Sequence, residues 1–319
     1  MENRGYKHRW PLALVFILLL SLMTSRALSV EVVIEKEGKP VVFEGFKRAD
    51  GAWIFNPDAQ KVIKMATLDW MPYIGENVCG QGWVQQLVVG AFLQLGYQVQ
   101  SHFVPWKRAV LMAESGHVDV LYPEYAIAPN APSDIFPHKN RDELLVLSEP
   151  FSGGNVALIK RTDHEFDFNG DLLSLKAQTI GVVAGYENSP EFDALMEEGY
   201  FYISPSVDDW INIKKLHKGR INFIVADPLV VNYTVAQNMT EVEEAAFKNA
   251  TEVLQPYLAV QPLYLAFSKA RPEYRTHLQA FNHLIVQWRE SGRMKAIRDH
   301  WIGRATEERT CVSRPVNTQ

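Results

Sequence analysis

Apolar residues along this chain recur in two rhythms, and the switches between them mark out the elements. Residues 30–60 alternate loosely, with Val30, Val32 and Ile34, then Val41, Val42 and Phe43, then Trp53, Ile54 and Phe55. Gly38-Lys39-Pro40 and Asp50-Gly51 break the runs, a pattern that predicts a small β-rich N-terminal addition. From Lys61 the rhythm changes. Val62-Ile63-Lys64-Met65-Ala66 suits a short buried strand, and Trp83 to Leu95 places Leu87, Val88, Ala91, Phe92 and Leu95 at helical spacing before Gly96. Tyr97-Gln98-Val99 reads as a strand, Pro105 opens a helix that ends at Gly116, and His117 to Leu121 reads as a third strand. Strand, helix, strand, helix, strand is the order of a mostly parallel sheet with helices on its faces.

The same order restarts near Thr179. Ile180 to Val183 predicts a strand, and Ser189-Pro190 caps a helix to Glu198 with proline at its first position. Ser206 with Asp209 forms a capping pair for a helix through Lys218. Ile221 to Val225 predicts a strand that ends at Ala226-Asp227, and Pro228 starts the next helix. Two such series predict two lobes. Gly154 to Ile159 and Tyr257 to Phe267 are apolar extended runs without helices of their own, suited to paired crossover strands that form a hinge. A helix from Pro272 to Glu290, with Tyr274, Leu278, Phe281, Leu284, Ile285 and Trp288 inward, and a short helix ending at His300-Trp301 are expected to return to the first lobe.

Arg4, Lys7 and Arg9 precede an apolar run from Leu12 to Leu20, and Ala27 and Ser29 follow at small-residue positions. The run is too short for a stable bilayer span of about 20 residues, and its flanks are those of a secretory signal. Cleavage after Ser29 is expected, with Ala27 as the alternative, and the product is expected in the periplasm. That segment carries four cations against Glu2, a net of +3, so the charge of −5 becomes −8 for the remainder. An acidic chain lacks the basic surface that drives nucleic-acid binding. Its two cysteines, Cys79 and Cys311, are placed to pair in an oxidising compartment or to remain two thiols. No Cys/His spacing suggests a metal, and His102, His117, His138, His164 and His217 are scattered among charges and loops.

Several landmarks together carry a family resemblance. Trp70-Met71-Pro72-Tyr73 follows the first strand, and Gly116-His117-Val118-Asp119 precedes the third. Arg141 stands ahead of Ser148-Glu149-Pro150-Phe151, and Gly219-Arg220 leads to Asp227. Tyr264 to Lys269 and the segment from Gly292 to Trp301 close the series. In this order they resemble the family 3 solute-binding proteins of ABC transporters, the group of polar amino-acid receptors, over roughly Lys61 to Gly303. The resemblance implies an α/β, two-lobed periplasmic binding protein type II fold. Its expected division is a first lobe of 61–153 with 262–305, a second lobe of 154–261 and a tail from 306. It further implies a non-enzymatic monomer without cofactor that closes on a small polar solute and docks on an ABC permease or a membrane sensor. Cyclohexadienyl dehydratases also resemble this family, which keeps an enzymatic alternative open with Glu124 or Asp227 as the acid.

The chemistry of the expected cleft follows from residue types. Arg141 offers a planar fork for a carboxylate, the role that the resemblance implies, or else pairs with neighbouring Asp142 or Glu143. Asp227, ending an apolar strand before Pro228, is a buried carboxylate in need of a partner; the resemblance implies a ligand ammonium. Tyr73 and Trp70 present aromatic faces, although Trp70 also suits core packing. Tyr122 and Glu124 follow the expected third strand and should face the cleft. The sequence departs from the family pattern in two places. Gly185-Tyr186-Glu187 stands where a Gly-Ser/Thr pair is usual, and a long loop with Pro123, Pro129, Pro132 and Pro137 replaces a short turn. Tyr186 narrows the site and adds a ring, which widens the expected ligands to relatives of amino acids.

Overall fold

The computed structural model describes residues 30–307 apart from Asp134; the expected signal at 1–29 and Cys311 lie outside the described residues. The first strands, β1 (Val30–Lys36) and β2 (Lys39–Lys47), form a hairpin. It turns through Glu37 and Gly38, both at positive φ (53° and 72°), the two-residue geometry whose twist suits antiparallel strands. Lys39 and Pro40 therefore belong to β2 and not to the expected break. Val32 and Ile34 are buried in the core of the first lobe, each worth about 1.5–3 kcal/mol of apolar burial. Strand β3 (Trp53–Phe55) joins β2 to the main sheet. The N-terminal segment thus extends the first lobe's sheet and core and is not a separate unit.

In that lobe β4 (Lys61–Thr67), α1 (Trp83–Gln94), β5 (Tyr97–Phe103), α2 (Trp106–Glu114) and β6 (Val120–Glu124) follow in order. Both β5 and β6 pair in parallel with β4. Strand β6 starts three residues later than expected, because the amides of His117 and Val118 bond back to the Met112 carbonyl and finish the turn after α2. Tyr122 and Glu124 therefore lie inside the strand. A short helix, α3 (Arg141–Leu144), is held by a capping box between Asn140 and Glu143 and leads into β7 (Leu145–Leu147).

The second lobe follows β8 (Phe151–Arg161) and contains β9 (Thr179–Val183), α4 (Pro190–Glu197), β10 (Tyr202–Ser206) and α5 (Asp209–His217). Next come β11 (Phe223–Ala226), α6 (Pro228–Asn238), α7 (Glu241–Asn249) and β12 (Thr251–Val253). Ser189 caps α4 as expected. The cap of α5 is Asp208, whose carboxylate accepts from the Ile211 amide; Ser206 ends β10 and bonds the Asn212 side chain. Two apolar clusters fill this lobe, one around Phe192, Phe201 and Phe223, the other around Ile213, Leu216 and Phe247.

The long strand β13 (Ala259–Ser268) then returns, antiparallel to β8 across Ala259–Val156, Val260–Asn155 and Gln261–Gly154. The register shifts before Leu263–Phe151, so that Ser152 and Gly153 together face Pro262. This is a bulge at a proline that has no amide to donate. Strand β13 continues onto β6 and β7, making β8 and β13 the link in a sheet path that runs β1-β2-β3-β5-β4-β6-β13-β8-β11-β9-β10. Helix α8 (Tyr274–Glu290) buries Phe281, Ile285 and Trp288 as expected, but also His277. Helix α9 (Arg293–Glu307) sets Trp301 against Gly80, beside Cys79, which is disulfide-bonded.

Candidate functional site

Where the hinge brings the lobes together they form a small, partly open pocket. The first lobe supplies Trp70, Trp106, Glu124 and Tyr125; the second supplies Tyr186 and Glu187. Leu68, Pro123 and Leu263 complete the wall. Each side chain is delivered by the end of a regular element: Trp70 by the loop after β4, Trp106 by the first turn of α2, Glu124 by the last residue of β6, and Tyr186 and Glu187 by the turn after β9. Strand ends and helix starts of both lobes converge here, as open α/β sheets require of a ligand crevice.

Several polar contacts join the lobes. The Tyr73 hydroxyl donates to Asp227 Oδ2 at 2.8 Å, and Trp106 Nε1 donates to the Gly185 carbonyl at 2.8 Å. Arg141 Nη1 donates to Glu187 Oε1 at 2.7 Å. Asp227 also caps α6, accepting from the Leu229 amide at 2.7 Å, so one carboxylate both starts a helix and latches the cleft. Trp70 stacks on Tyr73 with centroids 4.3 Å apart and planes at 16°, which holds the latch hydroxyl in place.

Arg141 lies at the cleft, but its guanidinium is already surrounded. It meets Glu124 at 2.9 Å, Glu187 at 2.7 Å and Glu114 at 3.4 Å, and Arg141, Glu114 and Glu124 are each at most 5% exposed. Neither Asp142 nor Glu143 is its partner, because Glu143 is engaged by the Asn140 amide in the capping box. The fork expected to receive a ligand carboxylate is filled by the protein's own carboxylates in this closed arrangement. Burial alone would lower the Arg141 pKa; Glu124, Glu187 and Glu114 outweigh it and raise it.

The acids carry the cost of this crowding. Burial, opposed by Arg141 and reinforced by Glu187, pushes Glu124 up to about 7. Burial also raises Glu187 and Asp227, and it takes Asp193 and Asp209 to about 7. Tyr186 reaches Asp209 Oδ2 at 3.3 Å, and burial raises its phenol strongly.

Six of the expected residues meet around this cleft: Trp70, Tyr73, Glu124, Arg141, Tyr186 and Asp227. Tyr122 does not. It is fully buried inside the first lobe, donating to Gln85 Oε1 at 2.5 Å and lying 2.7 Å from Ser101 Oγ. Strand β6 runs on to Glu124, beyond its expected end at Leu121, so Tyr122 lies within the sheet and not in the loop after it. Sequence reasoning missed Trp106, Tyr125, Glu187 and Asp209. Pro105 after a strand end was the available signal for Trp106; nothing local distinguished Glu187 from a solvated loop acid.

A pH dependence follows. An acid whose folded pKa stands above its unfolded value stabilises the fold while protonated, and that contribution is lost as pH rises between the two values. Glu124, Asp193 and Asp209, near 7 when folded, therefore make the ligand-free protein less stable at pH 7.5 than at pH 5. At 1.36 kcal/mol per unit for each group, even a quarter of the formal loss, about 2 kcal/mol, lowers Tm by about 5 °C. A calorimetric series across this range checks it, and a flat or rising Tm contradicts the burial of charge described above.

No family model matches the chain, and no curated protein matches it. Solved structures do. A histidine kinase sensor domain with similarity to periplasmic binding proteins is 19% identical, with a TM-score of 0.61 over 77% of this chain and 98% of that one. An ancestral arginine-binding protein bound to arginine is 17% identical, with a TM-score of 0.58 over 77% and 100%. An ABC uptake transporter substrate-binding protein from Streptococcus pneumoniae with bound histidine is 17% identical, with a TM-score of 0.58 over 76% and 93%. These neighbours are covered almost end to end by a mixed sheet flanked by helices in two series. The chain therefore has the two-lobed fold of type II periplasmic binding proteins.

Proposed function

We propose that this chain is an exported receptor that closes on a small polar solute and presents it to an ABC permease. The observation that carries this reading is the cavity whose walls come from both lobes, with β8 and β13 joining those lobes. A solute touching both walls completes its contacts only when they meet, so binding shifts the population toward the closed form. That closed form is what a membrane partner would recognise. Export to the periplasm is supported by the pattern of residues 1–29. The similarity to a kinase sensor domain favours a second reading, in which the closed form signals through a membrane sensor. Both readings are non-catalytic and share one binding event.

A thermal-shift screen of the purified exported protein against amino acids, amines, polyamines and organic acids tests the proposal. A true ligand at one hundred times its Kd stabilises by about 2.7 kcal/mol. The ligand should be recovered unchanged by mass spectrometry after prolonged incubation. Conversion to product would replace the receptor by a dehydratase-type enzyme, and no shift with any of these classes would sink the receptor reading.

A further inference from the structure

We infer that the solute of this cleft is a compact organic cation of the methylated-ammonium or tertiary-amine kind, gripped by aromatic faces and carboxylates. This rests on the receptor reading and narrows it to a ligand class.

The aromatic wall is the first observation. Trp70 stands at 86° to Tyr125 with centroids 5.7 Å apart, and Trp106 at 85° to Tyr186 at 6.1 Å. All four rings line the cavity. Four aromatic side chains on the walls of one space are a feature that suits a cation, whose attraction to a ring is strongest over tryptophan and where water is excluded. The remaining wall of Leu68, Pro123 and Leu263 suits N-methyl groups better than it suits a carboxylate.

The charge balance is the second. Arg141 is shared by Glu114, Glu124 and Glu187. Asp209 and Asp227 stand behind Tyr186 and Tyr73 and form no ion pair among the described residues. Carboxylates thus outnumber the guanidinium that serves them. A ligand carboxylate would have to displace Glu187 from Arg141 and would add another buried negative charge. A cation supplies the charge that the site lacks, and it opposes the desolvation that raises Glu124 and Glu187.

The third observation is Tyr125. Its side chain packs against the cores of both lobes, and its hydroxyl is buried without a hydrogen-bond partner among the described residues. Asp227, Tyr73, Asp209 and Glu124 surround it electrostatically. A hydroxyl so placed is available to a polar substituent on the ligand.

Calorimetric titration at pH 7.5 with choline, with its uncharged isostere 3,3-dimethyl-1-butanol and with L-glutamate tests the inference. Choline is expected to bind at least about tenfold more tightly than the isostere, and L-glutamate is not expected to bind. Glu187→Gln should weaken choline about tenfold and leave the isostere unchanged, a control that separates lost charge from lost fold. Trp106→Leu should likewise weaken choline more than the isostere. Equal binding of choline and its isostere overturns the inference, as does an absence of choline binding. L-glutamate binding without choline overturns it while leaving the receptor reading intact; that reading falls only if the wider screen finds no ligand.

Discussion

Arg141→Met is expected to be the most damaging single substitution in the cleft at neutral pH. It removes the cation from between Glu114, Glu124 and Glu187, which meet it at 3.4, 2.9 and 2.7 Å. Breaking a buried ion pair from one side costs about 3–5 kcal/mol, because the partner is left charged and unsolvated. Here three partners are left, so the upper end of that range is expected. For a protein of this size the loss corresponds to roughly 10 °C or more in Tm at pH 7.5. The effect should shrink at pH 5.5, where Glu124, near 7 even with Arg141 present, carries a proton and needs no partner. Adding Glu124→Gln and Glu187→Gln to Arg141→Met should restore much of the stability at pH 7.5, since contacting groups are not additive. A single variant that melts within 2 °C of the parent at both pH values would show that water, and not Arg141, solvates these acids.

Much of the frame was legible because it is written in periodicity. The helical spacing from Trp83, the caps at Ser189 and Asp227, and the two extended runs that became β8 and β13 all follow from local rules. Local rules failed where a distant contact decided. The start of β6 moved because Met112 captured two amides after α2, and the strand's continuation to Glu124 placed Tyr122 within the sheet. Arg141 was found as a residue, yet its partners come from α2, β6 and the turn after β9, separated from it by up to 46 positions. No pattern within one element announces such a meeting. The same holds for Tyr125 and Trp106, whose roles depend on a lobe that lies elsewhere in the sequence.

Gly154→Ala is expected to hold the cleft open without removing a single polar group. Gly154 pairs with Gln261 in the hinge, and a methyl placed there falls inside contact distance of Asp227 Oδ2 and the Tyr73 hydroxyl, and 3.0 Å from Asp227 Cγ. The latch between the lobes runs through that space. Neither atom yields cheaply, since Asp227 is fixed by the Leu229 amide and Tyr73 by its stack on Trp70. Parting the lobes takes Tyr73 away from the added methyl and releases Asp227 Oδ2 from the latch, so that the carboxylate can turn aside, and the closed population should collapse. Ligand affinity then falls in proportion to the competent fraction, by roughly a hundredfold if about 1% stays closed. Small-angle scattering of the ligand-free variant should report a larger radius of gyration. Its Tm should change less than in Gly153→Ala, where the added methyl meets the Gln261 carbonyl and lies 2.8 Å from its carbon, so that the hinge strands themselves must separate. Tyr73→Phe provides the matching control, because it removes the latch hydroxyl while leaving the space empty. Combined with Gly154→Ala it should add little further loss of affinity, whereas independent effects would multiply. An alanine variant that scatters and binds like the parent would mean that Asp227 and Tyr73 do not latch the lobes in solution.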